Sequence, residues 1–584
     1  MEIGRSSPLI QKLFRGLNKA DDGLCSLNKK NEAIRGYAPE IIALLLYGAL
    51  HIIISVFHEP WQDEAISWQI AKCASVKDIL FTLPHYEGHP PLWHLILFPF
   101  AKLGCPYEFS LSLVSLIFSA LAMGLLLFKS PFPRIVRLLL PFTYFLFYQY
   151  GVVSRPYCIM MAAFMLAAVT YEKRDTDPWR FVLSLMLLCL SSAYGILIAG
   201  GITIAWLLEL FKAEKFRLLL NKGRTASLIC LLILAILLIL EIIPAEGAYA
   251  ATSNNVPDTN NIFVRLIYAF LILPTDTCVT NVFSYSDRLT RVSLSAESII
   301  AGIFFGILIW AAVLYIAKKK KTALVLVIPY CLFAMFAAVK YMYLHHVGIA
   351  LLIFIFWAWI TCASKEKMTV DFGGETKRIA LSCVRVIGAV FMVISLYWTV
   401  SASASEIAYV YGIGRNEAAF IAENGLDDYR IMVGYLNYYD HDDEGNMTSE
   451  RIGCDFNHCN MPDSVLAYFD RNIFFNLNGG ADDMAYTFHK VADEEDCAEL
   501  IAKWREQGPP DVIYMPPGGS AGYGKFIEPD IEAVYEGITD ISDYRLVYFQ
   551  PIRQMWKNTY DRGYAEIYVR TDLADELGLE RPDL

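Results

Sequence analysis

The feature that most limits what this chain can fold into is a series of long apolar runs, the first of which, "EIIALLLYGALHIIISVF", fills most of residues 38–57. About 20 apolar residues suffice for a helix to cross a bilayer, and lipid offers the backbone no hydrogen-bond partner, so spanning segments are helices or closed barrels. Eleven runs can be read, at 38–57, 109–128, 136–153, 156–171, 181–194, 196–211, 226–244, 296–316, 322–339, 345–363 and 379–400. They predict a polytopic α-helical membrane protein of about 11 transmembrane helices. Hydrophobic residues make up 55% of the 584 positions, and the chain is too long for one ordinary domain.

Charge between the runs orients them. The basic N-terminal segment 1–37, "KSPFPRIVR", "YEKRDTDPWR", "FKAEKFRLLLNKGR", "KKKK" and "SKEKMTVDFGGETKR" fall on one side of a strictly alternating path. Lys and Arg favour the cytoplasmic side. The other side receives the long loop 58–108, the "VSRPY" turn, a hinge near Tyr194, the loop 245–295, the "KYMYLHH" turn and residues 401–584. A plasma or inner membrane protein is expected, with its N-terminus cytoplasmic. No short apolar core with a cleavage site precedes the first run, so that run is expected to serve as an uncleaved anchor.

Residues 401–584 carry 14 Lys+Arg against 35 Asp+Glu, a net of −21, which leaves +10 on residues 1–400. The change marks a transmembrane region, 38–400, followed by an acidic extracytoplasmic domain. Its helix-like pieces ("GRNEAAFIAENG", "DCAELIAKWREQG") alternate with strand-like ones ("YRIMVGY", "DVIYM", "YRLVYFQPI", "AEIYVR"), the pattern of an α/β layer fold. Its close cysteine pair, Cys454 and Cys459, could form a disulfide in an oxidising space or, with His458, contribute to a metal site; the spacing leaves this open. "YYDHDDEGN" and the glycine-rich "PPGGSAGYGK" read as plain loops, and "NMT" is a glycosylation sequon only in a host that modifies such sites.

The loop after the first run begins "FHEPWQDEAISW". Asp63 and Glu64 stand between Trp61 and Trp68, with His85, Glu87 and His89 further on in the same loop. A solvated interfacial loop accounts for acids there, and amphipathic rings suit the headgroup zone as well as the face of a sugar. Other turns on the same side add cations and donors: Arg155 in "VVSRPYCIM", and Lys340, His345 and His346 beside Tyr341 and Tyr343 in "VKYMYLHHVGI". Headgroup snorkelling is the bland reading of each alone. Together they fit a membrane-bound phosphate held next to a general base.

An acidic pair soon after the first span, "HPPLWH" entering the next helix and "SRPY" at a later turn resemble the GT-C superfamily of integral-membrane glycosyltransferases. The branch most similar holds protein O-mannosyltransferases and bacterial aminoarabinose transferases, and the likeness covers roughly residues 38–365. It implies transfer of a sugar from a polyprenyl-phosphate donor to a cell-envelope glycan, lipid or protein acceptor. The resemblance implies no nucleic-acid partner. By match to the family motif, Asp63 would deprotonate the acceptor hydroxyl, and Glu64 would position a substrate or hold a divalent cation with Asp63; no other cofactor is implied. Arg155 would grip the donor phosphate first, with Lys340 and His346 as second choices. His89, Tyr157, Trp61 and His345 would position substrates, His345 standing where relatives carry arginine. The rival readings are a transporter or flippase of lipid-linked sugars, and a receptor or assembly protein working through its ectodomain.

Overall fold

A computed structural model describes residues 36–214, 221–245, 248, 261–282, 289, 296–364, 374–434, 436–441, 447–455, 462–477, 492–516 and 539–583. Among them, 8 helices are long and apolar enough to cross a membrane: Ala38–Phe57, Tyr107–Lys129, Arg134–Val152, Ala193–Ala213, Lys222–Glu241, Ile299–Lys320, Leu344–Ala363 and Arg385–Ala408. The chain is a polytopic helical membrane protein. Each of these helices coincides with an expected run. The other three runs form shorter helices, Tyr157–Thr170, Pro178–Cys189 and Ala323–Val339, of 14, 12 and 17 residues. The hinge near Tyr194 is tight, since a Cβ on Gly195 would lie 2.0 Å from the Leu188 carbonyl oxygen.

Two stretches of wide π-helical winding shape the bundle, and each frees carbonyls that need partners. In Phe145–Val152, Tyr47 donates to the Leu146 carbonyl (2.9 Å), while Ser115 (2.5 Å) and His51 (2.9 Å) serve that of Gly151. This anchors the residues just before the "SRPY" turn. In Tyr268–Ile272, Trp310 Nε1 and Tyr330 Oη donate to the carbonyls of Phe270 and Ala269, at 2.6 and 2.8 Å. That second stretch lies within 245–295, expected as a polar loop. Its described part instead folds inward as Ile262–Ile267, Tyr268–Ile272 and Leu273–Asp276, burying Tyr268, Ile272 and Leu273.

The loop 58–108 is built of Gln62–Cys73, Val76–Phe81, Pro84–Glu87 and the apolar Leu92–Lys102. The last helix of the bundle, Gly374–Ala408, passes through position 401, the expected boundary, and ends eight residues beyond the run read from hydropathy. The small polar residues of "SASASE" look like an exit from the membrane, yet they are compatible with helix, and Glu406 is buried there.

Beyond it, strands β1 (Ile431–Val433), β5 (Val512–Met515), β7 (Thr559–Arg570) and β6 (Tyr544–Trp556) form one sheet in the order β1-β5-β7-β6. The β1–β5 pair is parallel and the other pairs antiparallel. Alternation along the strands sorts their side chains onto two faces. Ile431, Val433, Val512 and Tyr514 pack with Ala418, Ile421 and Leu573, while Met432, Ile513 and Met515 pack with Ile501 and Trp504 of helix Glu494–Glu506. A separate three-stranded sheet joins β2 (Leu436–His441), β3 (Met447–Asp455) and β4 (Ala492–Asp493). Cys497 is disulfide-bonded; Cys459 lies outside the described residues, as do most of "DHDDEGN", the sequon Asn446 and residues 517–538.

The tip of the β6–β7 hairpin plugs into the bundle. Lys557, fully buried and in the left-handed backbone region (φ 55°), donates to the carbonyls of Asp276 (2.6 Å) and Thr280 (3.0 Å), with the Asp276 carboxylate 3.3 Å away. Its neighbour Trp556 meets Tyr144 and Phe145 edge-on.

Candidate active site

The helix Gln62–Cys73 starts at Trp61, whose extended backbone leaves its N–H free for the Glu64 side chain (2.8 Å). Such a reach-back contact satisfies a donor that helix geometry orphans. The same carboxylate accepts from the Ser154 N–H (2.6 Å) and from His58 Nε2 (3.1 Å). His58 Nδ1 in turn meets Glu406 Oε1 at 2.9 Å, and Tyr148 donates to that same oxygen at 2.5 Å. Three stretches far apart in sequence are thereby tied together: the end of the first span with the start of the loop helix, the "SRPY" turn, and the end of the last span. Burial alone would lower the pKa of the His58 imidazole, but Glu406 and Glu64, one on each ring nitrogen, raise it well above its ordinary value. Two acids thus share one buried imidazolium.

Asp63 faces away from this clamp. Its Oδ2 lies 2.7 Å from Arg155 Nη2, with the aspartate side chain 27% exposed and the arginine 8%. The Arg155 guanidinium carbon sits 5.2 Å from the Trp61 ring centroid and 5.4 Å from that of Tyr157, within cation–π range of both. His345 closes the group, its ring 5.7 Å from Trp61 and 5.7 Å from Tyr157. His346 is 4.2 Å from His345, and its Nδ1 accepts from the Tyr343 N–H at 2.9 Å. Tyr150 stacks on Tyr157 at 5.0 Å and donates to the His345 carbonyl at 2.7 Å, which fixes the height of the histidine turn against the arginine turn.

Four buried polar atoms around this group have no hydrogen-bond partner: Arg155 Nη1, Tyr157 Oη, His345 Nδ1 and His89 Nδ1. Leaving such a group unsatisfied costs about 1–3 kcal/mol, so native interiors hold few of them. His89 belongs electrostatically to the same cluster. Burial first, then the charge of Arg155, pushes its pKa down to about 3, so it is a neutral imidazole at ordinary pH. A guanidinium, a phenol and two imidazoles with spare hydrogen-bonding capacity suit an anionic, oxygen-rich ligand.

Of the residues named from sequence, Asp63, Arg155, Trp61, Tyr157, His345, His346 and His89 come together. Lys340 does not: it is exposed at the end of Ala323–Val339 and outside this network. Glu64 turns the other way, its oxygens accepting the Trp61 and Ser154 N–H groups and facing His58 Nε2, so Asp63 is the member of the acidic pair that meets Arg155. Among the described residues no group of three His, Cys, Asp or Glu could hold a metal ion. Sequence reading missed His58, Glu406 and Tyr148. The signals were there, in a histidine directly preceding the quoted acids and a lone acid closing an apolar helix. No family model, curated protein or solved structure matches the chain.

Proposed function

We propose that this chain is a membrane glycosyltransferase that moves a sugar from a polyprenyl-phosphate donor to an acceptor hydroxyl at the outer membrane face. The observation that carries this reading is the Asp63–Arg155 pair, 2.7 Å apart, beside unsatisfied donors. Asp63 is the general base and, being part-exposed, is open to an acceptor. Arg155 spends Nη2 on Asp63 and keeps Nη1 for a donor phosphate oxygen, so one guanidinium holds base and leaving group side by side. As the acceptor oxygen attacks the anomeric carbon and the sugar–phosphate bond breaks, negative charge grows on the phosphate. A fixed guanidinium stabilises that charge more than it stabilises the ground state. The Asp63 carboxylate takes the hydroxyl proton, and attack opposite the leaving group inverts the anomeric centre. Tyr157, His89 and His345 complete the phosphate and sugar contacts, and Trp61 offers an aromatic wall.

In this reading the eleven runs all cross the membrane, the three short helices within the packed bundle. The basic turns lie in the cytoplasm and the α/β region outside. The disulfide at Cys497 supports an oxidising surrounding for that region. The charged groups gather where spans end, rather than along mid-membrane helices as a transport path would require.

The test uses membranes containing the chain, a radiolabelled polyprenyl-phosphate sugar and extracted envelope acceptors. Asp63→Asn should reduce transfer by about 10²–10⁴-fold, the usual weight of a general base, while still binding donor. Arg155→Lys keeps charge but loses the two-pronged grip and should cost about 10²–10³-fold in kcat/KM for the donor. Transfer undiminished in Asp63→Asn removes that residue from the mechanism. Movement of the lipid-linked sugar across the bilayer without transfer removes the enzyme.

A further inference from the structure

The last span presents an unbroken exposed stripe, Val393, Tyr397, Val400, Ala404 and Ile407, at spacings of three and four residues. Its opposite side buries Trp398, Ala402 and Glu406. The stripe is the lipid side. One residue beyond the span stands Tyr409, 52% exposed, at the level where phospholipid headgroups begin and where tyrosine rings are favoured.

The β6–β7 hairpin meets the span at this point. The Arg553 guanidinium carbon lies 4.3 Å from the ring centroid of Tyr409 and 3.6 Å from that of Tyr560. Register places Arg553 opposite Arg562, Met555 opposite Tyr560 and Pro551 opposite Tyr564, so all six share one face of the hairpin. Tyr560, Arg562 and Tyr564 are exposed, and Arg562 donates to the Tyr560 hydroxyl at 2.8 Å. The next acid along this face, Glu566, stands beyond Tyr564.

The face is basic within an acidic region. Arg415, Arg471, Arg545 and Arg570 elsewhere in the C-terminal region each hold a carboxylate. Among the described residues, Arg553 and Arg562 hold none, and the buried Arg553 Nε has no partner. Two arginines without an ion pair, framed by three tyrosines in a region of strongly negative charge, are placed where a span leaves the lipid; the nearby Asp561 carboxylate accepts the Arg562 backbone N–H at 2.9 Å.

We infer that this face docks on the anionic phospholipid headgroups of the membrane that the chain spans. The arginines take headgroup phosphates, the tyrosines lie in the interfacial zone, and the acidic remainder is held off the surface with one side down. The inference needs only that Arg385–Ala408 crosses the bilayer, and it stands whether or not the chain transfers sugar. Each arginine near an anionic surface contributes about fivefold to binding.

The experiment is hydrogen exchange on the full chain in nanodiscs of phosphatidylcholine alone or mixed with phosphatidylglycerol. Headgroups bound to the closed sheet slow its opening by mass action. Amides of residues 552–564 should exchange up to about 25-fold more slowly with phosphatidylglycerol, and high salt should abolish the difference. In Arg553→Gln/Arg562→Gln the two lipids should become equivalent, while unchanged exchange at Val512–Met515 reports an intact sheet. Arg553→Lys/Arg562→Lys should keep most of the effect. The inference is overturned if wild type exchanges alike in both lipids or the glutamine variant keeps the difference. It also falls if the lysine variant loses the difference, or if soluble glycerol phosphate protects equally in phosphatidylcholine discs, which would make this a site for free phosphate.

Discussion

Adjacent residues on a helix do not face the same way, so Asp63 and Glu64 had to differ in surroundings once Gln62–Cys73 formed. Glu64 and Glu406 enclose His58, and the strength of that clamp can be tested. Removing one partner of a buried charged group costs about 3–5 kcal/mol, so Glu406→Gln should lower unfolding stability in detergent by about that much. The pH dependence has a definite sign. A histidine whose folded pKa is raised stabilises fully below its unfolded value, and that contribution disappears as pH climbs through the folded value. In Glu406→Gln the folded value falls, so the decline should end at lower pH and be smaller. Equal stability of variant and wild type at every pH would remove the bridge. Asp63, Arg155 and the histidine turn were legible in sequence because their side chains, set among aromatics at span ends, are chemically conspicuous. Their pairing rests on two turns about 90 residues apart, and Glu406 was masked by the polar serines that precede it.

At the scale of elements, hydropathy located every long helix, because twenty apolar residues in a row leave few alternatives to a span. It did not reveal the inward fold of Ile262–Ile267 to Leu273–Asp276, whose apolar stretch is short and interrupted by Pro274. That segment depends on glycine in the helix it meets. A Cβ on Gly302 would lie 2.7 Å from Ile272 Cγ2, and one on Gly306 would lie 1.7 Å from the Leu271 carbonyl oxygen. Small residues of this kind let backbones approach in membrane bundles. Gly306→Ala should therefore force the two apart and destabilise by at least about 1–3 kcal/mol, the common cost of overpacking, read as a lower thermal midpoint in detergent. Gly388, with nothing within 4 Å of a built Cβ, is the control: Gly388→Ala should leave the midpoint unchanged or raise it slightly. Equal midpoints for Gly306→Ala and wild type would contradict the close contact.

At the scale of the whole molecule, the C-terminal region is joined to the first loop by a cluster whose charge depends on pH. Arg415 grips Glu108 with two hydrogen bonds, 2.8 and 2.7 Å, and reaches the His58 carbonyl at 3.1 Å; Tyr468 also donates to Glu108. Asn416 donates to Glu59 Oε1 at 3.3 Å, while Glu59 Oε2 and Glu417 Oε1 are buried without partners. Burial first, then the charge of Glu417, raises the Glu59 pKa from 4.5 to about 8, against the opposing pull of Arg415. The folded protein therefore keeps a proton that the unfolded chain has released, and stability falls as pH rises between those two values. The slope is at most about 1.4 kcal/mol per pH unit from this group. Ordinary carboxylates have finished titrating by about pH 6, so the interval from there to pH 8 reports on Glu59 and the histidines together with Glu417 and Asp561, whose pKa values burial also raises. Unfolding followed across that interval should show the wild-type decline, and Glu59→Gln, which cannot ionise, should flatten it while leaving His58 to titrate. An undiminished slope in the variant would move the pH sensitivity away from this junction and onto the Glu64–His58–Glu406 clamp beside it.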